Sequence, residues 1–264
     1  MPVRHCCGHG LVRRDGGTER RRAVSACRAF IRACSLLASA GAAGIGTPAC
    51  AQVAFSLAAE SDYRFRGNSL SDGRPTAAAQ LAYDDPSGLY LNAAALGVYR
   101  RDGADRLGYV ANIGYTKRLS PRVSIDGGLV HSKYRSEDED GGYYSSHYTE
   151  AYVGLNVSDF AGRLYYSPHY FEEDVSTLYA EAEAGFQPAP NWRLSAHAGA
   201  LFYLRAPEGS GGAARYDWRL GVSRQWGALE VHAALSGSGP RGEHLHTGDT
   251  YRRTALTAGA SLNF

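Results

Sequence analysis

Beyond residue 51 this 264-residue chain has no cysteine; all five, Cys6, Cys7, Cys27, Cys34 and Cys50, lie in the leading fifty positions. Disulfides cannot staple the rest, so an exported chain of this size needs an ample core or a closed barrel. Long apolar runs are missing too. No stretch after residue 51 approaches 18 consecutive uncharged apolar residues, which excludes a helical membrane protein. Lysine is almost absent, with only Lys117 and Lys133. A soluble β-sandwich or lipocalin-like barrel turns an outer face rich in Lys and Glu to water, whereas the polar face of this chain is largely Gly, Ala, Ser and Asn with scattered charges, which argues against one.

What the chain does have is unevenly placed. The first 51 residues hold 8 of the 28 basic residues and 2 of the 26 acidic ones, whereas the remainder carries 20 basic and 24 acidic residues, a net charge of −4. Basic Arg20, Arg21, Arg22, Arg28 and Arg32 precede a small, apolar run from Ala33 to Gly46, followed by Thr47-Pro48-Ala49-Cys50-Ala51. This order is that of an export signal with an A-x-A cleavage site. The expected organisation is a cleaved leader over 1–51 ending at Ala51, and one domain over 52–264. The net negative charge of that domain argues against nucleic acid as a partner.

From Val53 onward the dominant pattern has a period of two, which puts successive side chains on opposite faces of a strand. Val53, Phe55, Leu57 and Ala59 alternate with Ala54, Ser56, Ala58 and Glu60; Leu178, Ala180, Ala182, Ala184 and Phe186 alternate with Tyr179, Glu181, Glu183 and Gly185. About twelve such segments begin near Val53, Thr76, Leu89, Tyr109, Val123, His147, Ala161, Thr177, Trp192, Arg215, Leu229 and Arg253. Short turns such as Ser120-Pro121-Arg122 alternate with long polar connections, including 66–75, 99–108, 135–146 and 239–251. The fold class expected is an all-β antiparallel transmembrane barrel of about 12 strands, with short periplasmic turns, six outward loops and both termini periplasmic. Its localisation is the bacterial outer membrane, with lipid and lipopolysaccharide as neighbours.

Tyr63, Tyr83, Tyr109, Tyr134, Tyr148, Trp192, Tyr203, Trp218 and Trp226 fall near segment ends, the expected positions of interfacial aromatic girdles. The terminal Phe264 closes an amphipathic strand, in the manner of the signal that outer-membrane assembly machinery reads.

Ser61-Asp62-Tyr63-Arg64-Phe65-Arg66-Gly67, continuing through Asp72-Gly73-Arg74-Pro75, resembles the opening signature of the TorF family of porin-like proteins. The specific motif spans about 25 residues, and Asn68 and Leu70 depart from the family's usual pattern. The resemblance implies a barrel and a pore, without a named solute. Physically the motif is a strand end followed by a glycine-marked loop, open to a structural or a binding role.

Opposite the apolar stripe, the lumen is expected to carry Glu60, Asp126, Glu150, Arg163, Glu181, Glu183, Arg193, His197, Asp217, Arg219, Glu230, His232 and Arg253. Mixed charge suits a narrow passive channel for small hydrophilic solutes, or a salt-bridged network that fills a structural or receptor barrel. Arg163, Arg193, Arg219 and Arg253 are the candidate constriction residues. A barrel hydrolase is the third reading, but no nucleophile elbow, zinc motif or nucleotide loop is present, so neither catalysis nor a cofactor is expected. His131 and Ser132 are sequence neighbours on opposite faces and form no dyad. His244-x-His246, with Glu243 and Asp249 nearby, reads as a solvated loop rather than a metal site, and the acidic run 136–141 as a solvated tip. N-terminal sequencing of the exported protein is expected to begin at Gln52; a start upstream of Cys50 overturns the assigned boundary.

Overall fold

The computed structural model describes residues 51–100, 103–137, 143–205, 214–239 and 254–264. The leader up to Cys50, Arg253, the His244-x-His246 loop and most of the acidic run lie outside the described residues. Among the described residues there are fourteen strands: β1 Gln52–Glu60, β2 Arg64–Phe65, β3 Asn68–Ser69, β4 Thr76–Asp84, β5 Leu89–Arg100, β6 Gly103–Ser120 and β7 Val123–Glu137. They continue as β8 Tyr143–Val157, β9 Phe160–Ser167, β10 Ser176–Phe186, β11 Trp192–Arg205, β12 Arg215–Trp226, β13 Leu229–Gly239 and β14 Thr254–Asn263. All but β2 and β3 join one closed antiparallel barrel of twelve strands. Closure comes from β1, which pairs with β4 on one edge and with β14 on the other, placing Ser56 opposite Asn263 and Glu60 opposite Gly259. The terminal Phe264 seals this seam, donating its N–H to the Phe55 carbonyl at 2.9 Å with the two rings 6.0 Å apart.

Outside, the barrel exposes what a soluble protein hides. Leu256 is 76% exposed, Val53 68% and Val153 63%. An apolar belt of this extent is the surface of a barrel that stands in hydrocarbon. Near the short-turn end the belt is bordered by exposed Tyr115, Phe160, Phe186, Trp192, Trp226 and Phe264, with the Arg224 guanidinium 5.0 Å from the Trp192 ring and 4.7 Å from Trp226.

Two expectations are corrected. Segments 99–108 and 135–146, read as polar loops, are mostly strand. The 18-residue β6 and the 15-residue β7 and β8 run past the roughly 9–11 residues that a tilted strand needs to cross a bilayer. Beyond the membrane a strand need not be apolar, since cross-strand pairs replace lipid contact. Asp105 lies 3.6 Å from Arg100 and 3.5 Å from Arg135. Of the nine aromatics assigned to girdles, Tyr63, Tyr134, Tyr148 and Tyr203 instead belong to or pack against a cluster inside the barrel. Their inward parity wins, because a ring that fills the lumen also excludes water from it.

That cluster needs glycines across from it. Tyr90 pairs with Gly114, and Tyr152 with Gly128. A Cβ at Gly128 would fall on the Ile113 carbonyl oxygen and against the Tyr152 hydroxyl. Gly128→Ala is expected to cost about 1–3 kcal/mol, read as a lower urea midpoint for the folded barrel, because backbone rather than a side-chain tip obstructs it.

Candidate functional site

The first long loop does not point outward. Residues 61–75 fold back into the barrel mouth as a hairpin in which Arg64 pairs with Ser69 and Phe65 with Asn68. Its two turn residues, Arg66 and Gly67, have φ of 46° and 74°, the doubly positive signature of a tight type I′ turn. Gly67 is required twice over, since a Cβ there would also collide with Gly237 and Ser238 of the wall. Asp62 organises the base of the hairpin. Its carboxylate accepts from the Ser71 hydroxyl at 2.9 Å and from Arg64 at 3.0 Å. The motif residues Ser61 to Gly67 thus build an inward plug.

At the tip, the Arg66 guanidinium donates to both oxygens of Glu150 on β8 at 2.8 Å and lies 3.8 Å over the Tyr179 ring of β10. Burial works against its charge, and Glu150 with the surrounding tyrosines more than restores it. A second loop meets this plug. Tyr170 and Phe171, between β9 and β10, stack on Tyr148 at 5.1 and 4.7 Å. Burial pushes the Tyr170 hydroxyl up to about 12, so it stays neutral beside Arg66. Two of the six connections read as outward loops therefore close over the lumen instead.

Below the plug, side chains from β5 to β10 fill one half of the lumen. Asp126 accepts from Asn156 at 2.9 Å and from Arg163 at 3.2 Å; Tyr90 and Tyr152 share a short hydrogen bond above it. Arg163 lies 3.8 Å from Glu181, which also accepts from the Tyr165 hydroxyl at 3.0 Å. On β11 and β12, His197 sits 3.3 Å from Glu183 and 2.8 Å from Asp217, while the Tyr179 hydroxyl donates to Asp217 at 3.0 Å. His232 lies 2.9 Å from Glu60. The opposite wall mixes small residues, Ala58, Ala78, Ser195, Gly221, Ala234 and Thr257, with charged ones, and a cavity of about 280 Å³ runs between the two halves.

Among the predicted lumen residues, Glu60, Glu150, Glu181, Glu183, Arg193, His197, Asp217, Arg219, Glu230 and His232 border this cavity. Asp126 and Arg163 are buried in the wall network behind it. Arg163, expected as a constriction residue, is therefore tied to carboxylates, whereas Arg193 and Arg219 reach the cavity; Arg253 lies outside the described residues. The sequence reading did not bring Arg66 into the lumen. Its clue was an Arg-Gly pair between two short extended dipeptides, a turn signal that reads the same whether a loop points out or in.

A family model described as "Bacterial protein of unknown function (Gcw_chp)" matches residues 45–248. No curated protein matches the sequence. Among solved structures, the fold is similar to the KdgM porin, with 12% identity, TM-score 0.50, and 80% of this chain and 99% of that chain covered. It is also similar to the NanC porin, with 6% identity, TM-score 0.54, and 80% and 99% covered.

Removing one partner of a buried, hydrogen-bonded charge pair strands the other. Arg66→Ala is expected to cost about 3–5 kcal/mol locally, measured as lost hydrogen-exchange protection of amides 63–70. Arg66→Ala combined with Glu150→Gln is expected to recover part of that loss.

Proposed function

We propose that this chain, a member of the Gcw_chp family of bacterial proteins of unknown function, is a narrow outer-membrane channel for small hydrophilic solutes. The observation that carries the proposal is the cavity of about 280 Å³ between the tyrosine-filled half of the lumen and a half lined by mixed small and charged side chains, capped by the inward hairpin. A barrel built only as scaffold gains by filling both halves. Here the wall of β1, β4 and β11 to β14 intersperses small residues, Ala58, Ala78, Ser195, Gly221, Ala234 and Thr257, among the charged Glu60, Arg193, Arg219 and Glu230 at cavity level, so space is left within a charged surface. The porin likeness of the fold and the porin reading of the TorF resemblance point the same way.

Charge gives the channel a sign. Among the described residues eight carboxylates, Glu60, Asp62, Asp126, Glu150, Glu181, Glu183, Asp217 and Glu230, share the lumen with the five guanidiniums of Arg64, Arg66, Arg163, Arg193 and Arg219. Excess carboxylate in a confined passage favours cations. The leader over 1–51 delivers the chain for export, Phe264 presents it to the assembly machinery, and lipid with lipopolysaccharide surrounds the belt. The chemistry assigned is passage rather than catalysis, in keeping with the porin likeness of the fold.

The refolded barrel in a planar bilayer is expected to show small discrete openings and a cation-selective reversal potential in a salt gradient. Glu60→Gln with Glu230→Gln is expected to shift that potential toward zero. A folded barrel that gives no openings overturns the channel and leaves a structural or receptor barrel; turnover in lipase or protease assays would establish the hydrolase instead.

A further inference from the structure

The lumen network contains a cluster in which charge pairing leaves a buried carboxylate oxygen without a partner. Glu181 and Glu183 are alternate residues of β10, so both point inward. His197 on β11 sits directly opposite Glu183 in the register. One donor atom from each of the three lies within 4.8 Å of the other two. The ring nitrogens of His197 are differently engaged: Nε2 lies 2.8 Å from the Asp217 carboxylate, and Nδ1 faces Glu183 at 3.3 Å.

Two explanations compete. If His197 is an imidazolium bridging Glu183 and Asp217, both of its nitrogens are satisfied. That leaves the second oxygen of Glu183, Oε2, buried without a hydrogen-bond partner on a side chain only 1% exposed. A buried carboxylate oxygen with no donor is costly and calls for a missing cation or donor. A metal ion supplies that cation, and the rest of the arrangement suits one. A metal-bound histidine gives its other ring N–H to a carboxylate, which fixes the tautomer and aims the lone pair. Here Asp217 takes the Nε2–H, itself held by the Tyr179 hydroxyl at 3.0 Å, so the Nδ1 lone pair is turned toward the two glutamates.

We infer that Glu181, Glu183 and His197 form a divalent-metal site in the lumen wall, suited to zinc, with Asp217 orienting the histidine. One nitrogen and two carboxylate donors make a set that zinc accepts at about 2.0–2.2 Å, and three protein ligands leave a fourth position open. Donors around a tetrahedral ion stand about 3.4 Å apart, so the widest pair closes by a little over an ångström, within reach of a glutamate rotamer change. All three ligands border the cavity, which supplies the entry path and the open coordination position. Two carboxylates and a neutral imidazole match the charge of a divalent ion. The site stands whether or not the barrel conducts.

The test uses the full folded barrel in detergent micelles, with zinc as the probe. Calorimetry is expected to show one tight equivalent, and the zinc X-ray absorption spectrum of the unmutated protein to show one imidazole with oxygen donors. Glu183→Gln and His197→Ala are each expected to weaken binding about 100-fold or more, and Asp217→Asn about 10–100-fold. His244→Ala with His246→Ala is expected to change nothing. No binding below millimolar zinc, a spectrum with two or more imidazoles, or affinity retained in both Glu183→Gln and His197→Ala overturns the site. The absorption spectrum is read on the unmutated chain and so does not depend on how the variants fold.

Discussion

Hydrocarbon offers no partner to a backbone N–H or C=O, and the rest of this molecule follows from that constraint. A sheet in such a solvent must have no edge, so β1 pairs with β14 as well as β4 and the ring closes. Closure turns the period-two alternation into an inside and an outside. Every second residue then meets lipid, and every other one meets a lumen too narrow to behave like bulk water. The apolar belt and the charged interior are two sides of one pattern.

Inside, two ways of satisfying polar groups divide the space. On the β5 to β10 side, tyrosines bring an apolar body and a hydroxyl together, which lets them pack densely and still serve Asp126, Glu181 and Asp217 as donors. On the other side small side chains between the charged ones leave room. The plug joins the two, because Arg66 is at once a counter-ion for Glu150 and a flat cation over an aromatic face, a combination that lysine's point charge fits poorly.

Much of this was legible in the sequence. The strand starts read near Val53, Thr76, Leu89, Val123, Trp192, Arg215 and Leu229 lie within a residue of the observed ones, since alternation and turn residues are local signals. Polarity misled where strands outrun the membrane. Asp105 and Arg135 looked like loop residues because the sequence does not say where the bilayer ends. Tyr148 looked interfacial because a tyrosine near a strand end suits a girdle and a lumen equally. The grouping of Glu181, Glu183 and His197 follows from register, which no spacing motif encodes when the ligands come from two strands. Nor does loop composition reveal direction: the hairpin turns inward because partners on distant strands await its tip, and those contacts exist only once the ring has formed.

The plug touches walls far apart around the ring. Its tip reaches β8 and β10 through Arg66; Asn68 accepts from Ser238 of β13 at 3.2 Å, and Ser61 donates its N–H to the Ala258 carbonyl of β14 at 2.8 Å. A thin-walled cylinder is stiff along its axis and soft to flattening, since ovalisation only rotates strands about their hydrogen bonds. A bar braced between separated staves resists that distortion. The hairpin is therefore a cross-brace as well as a stopper, and the roundness of the mouth depends on it.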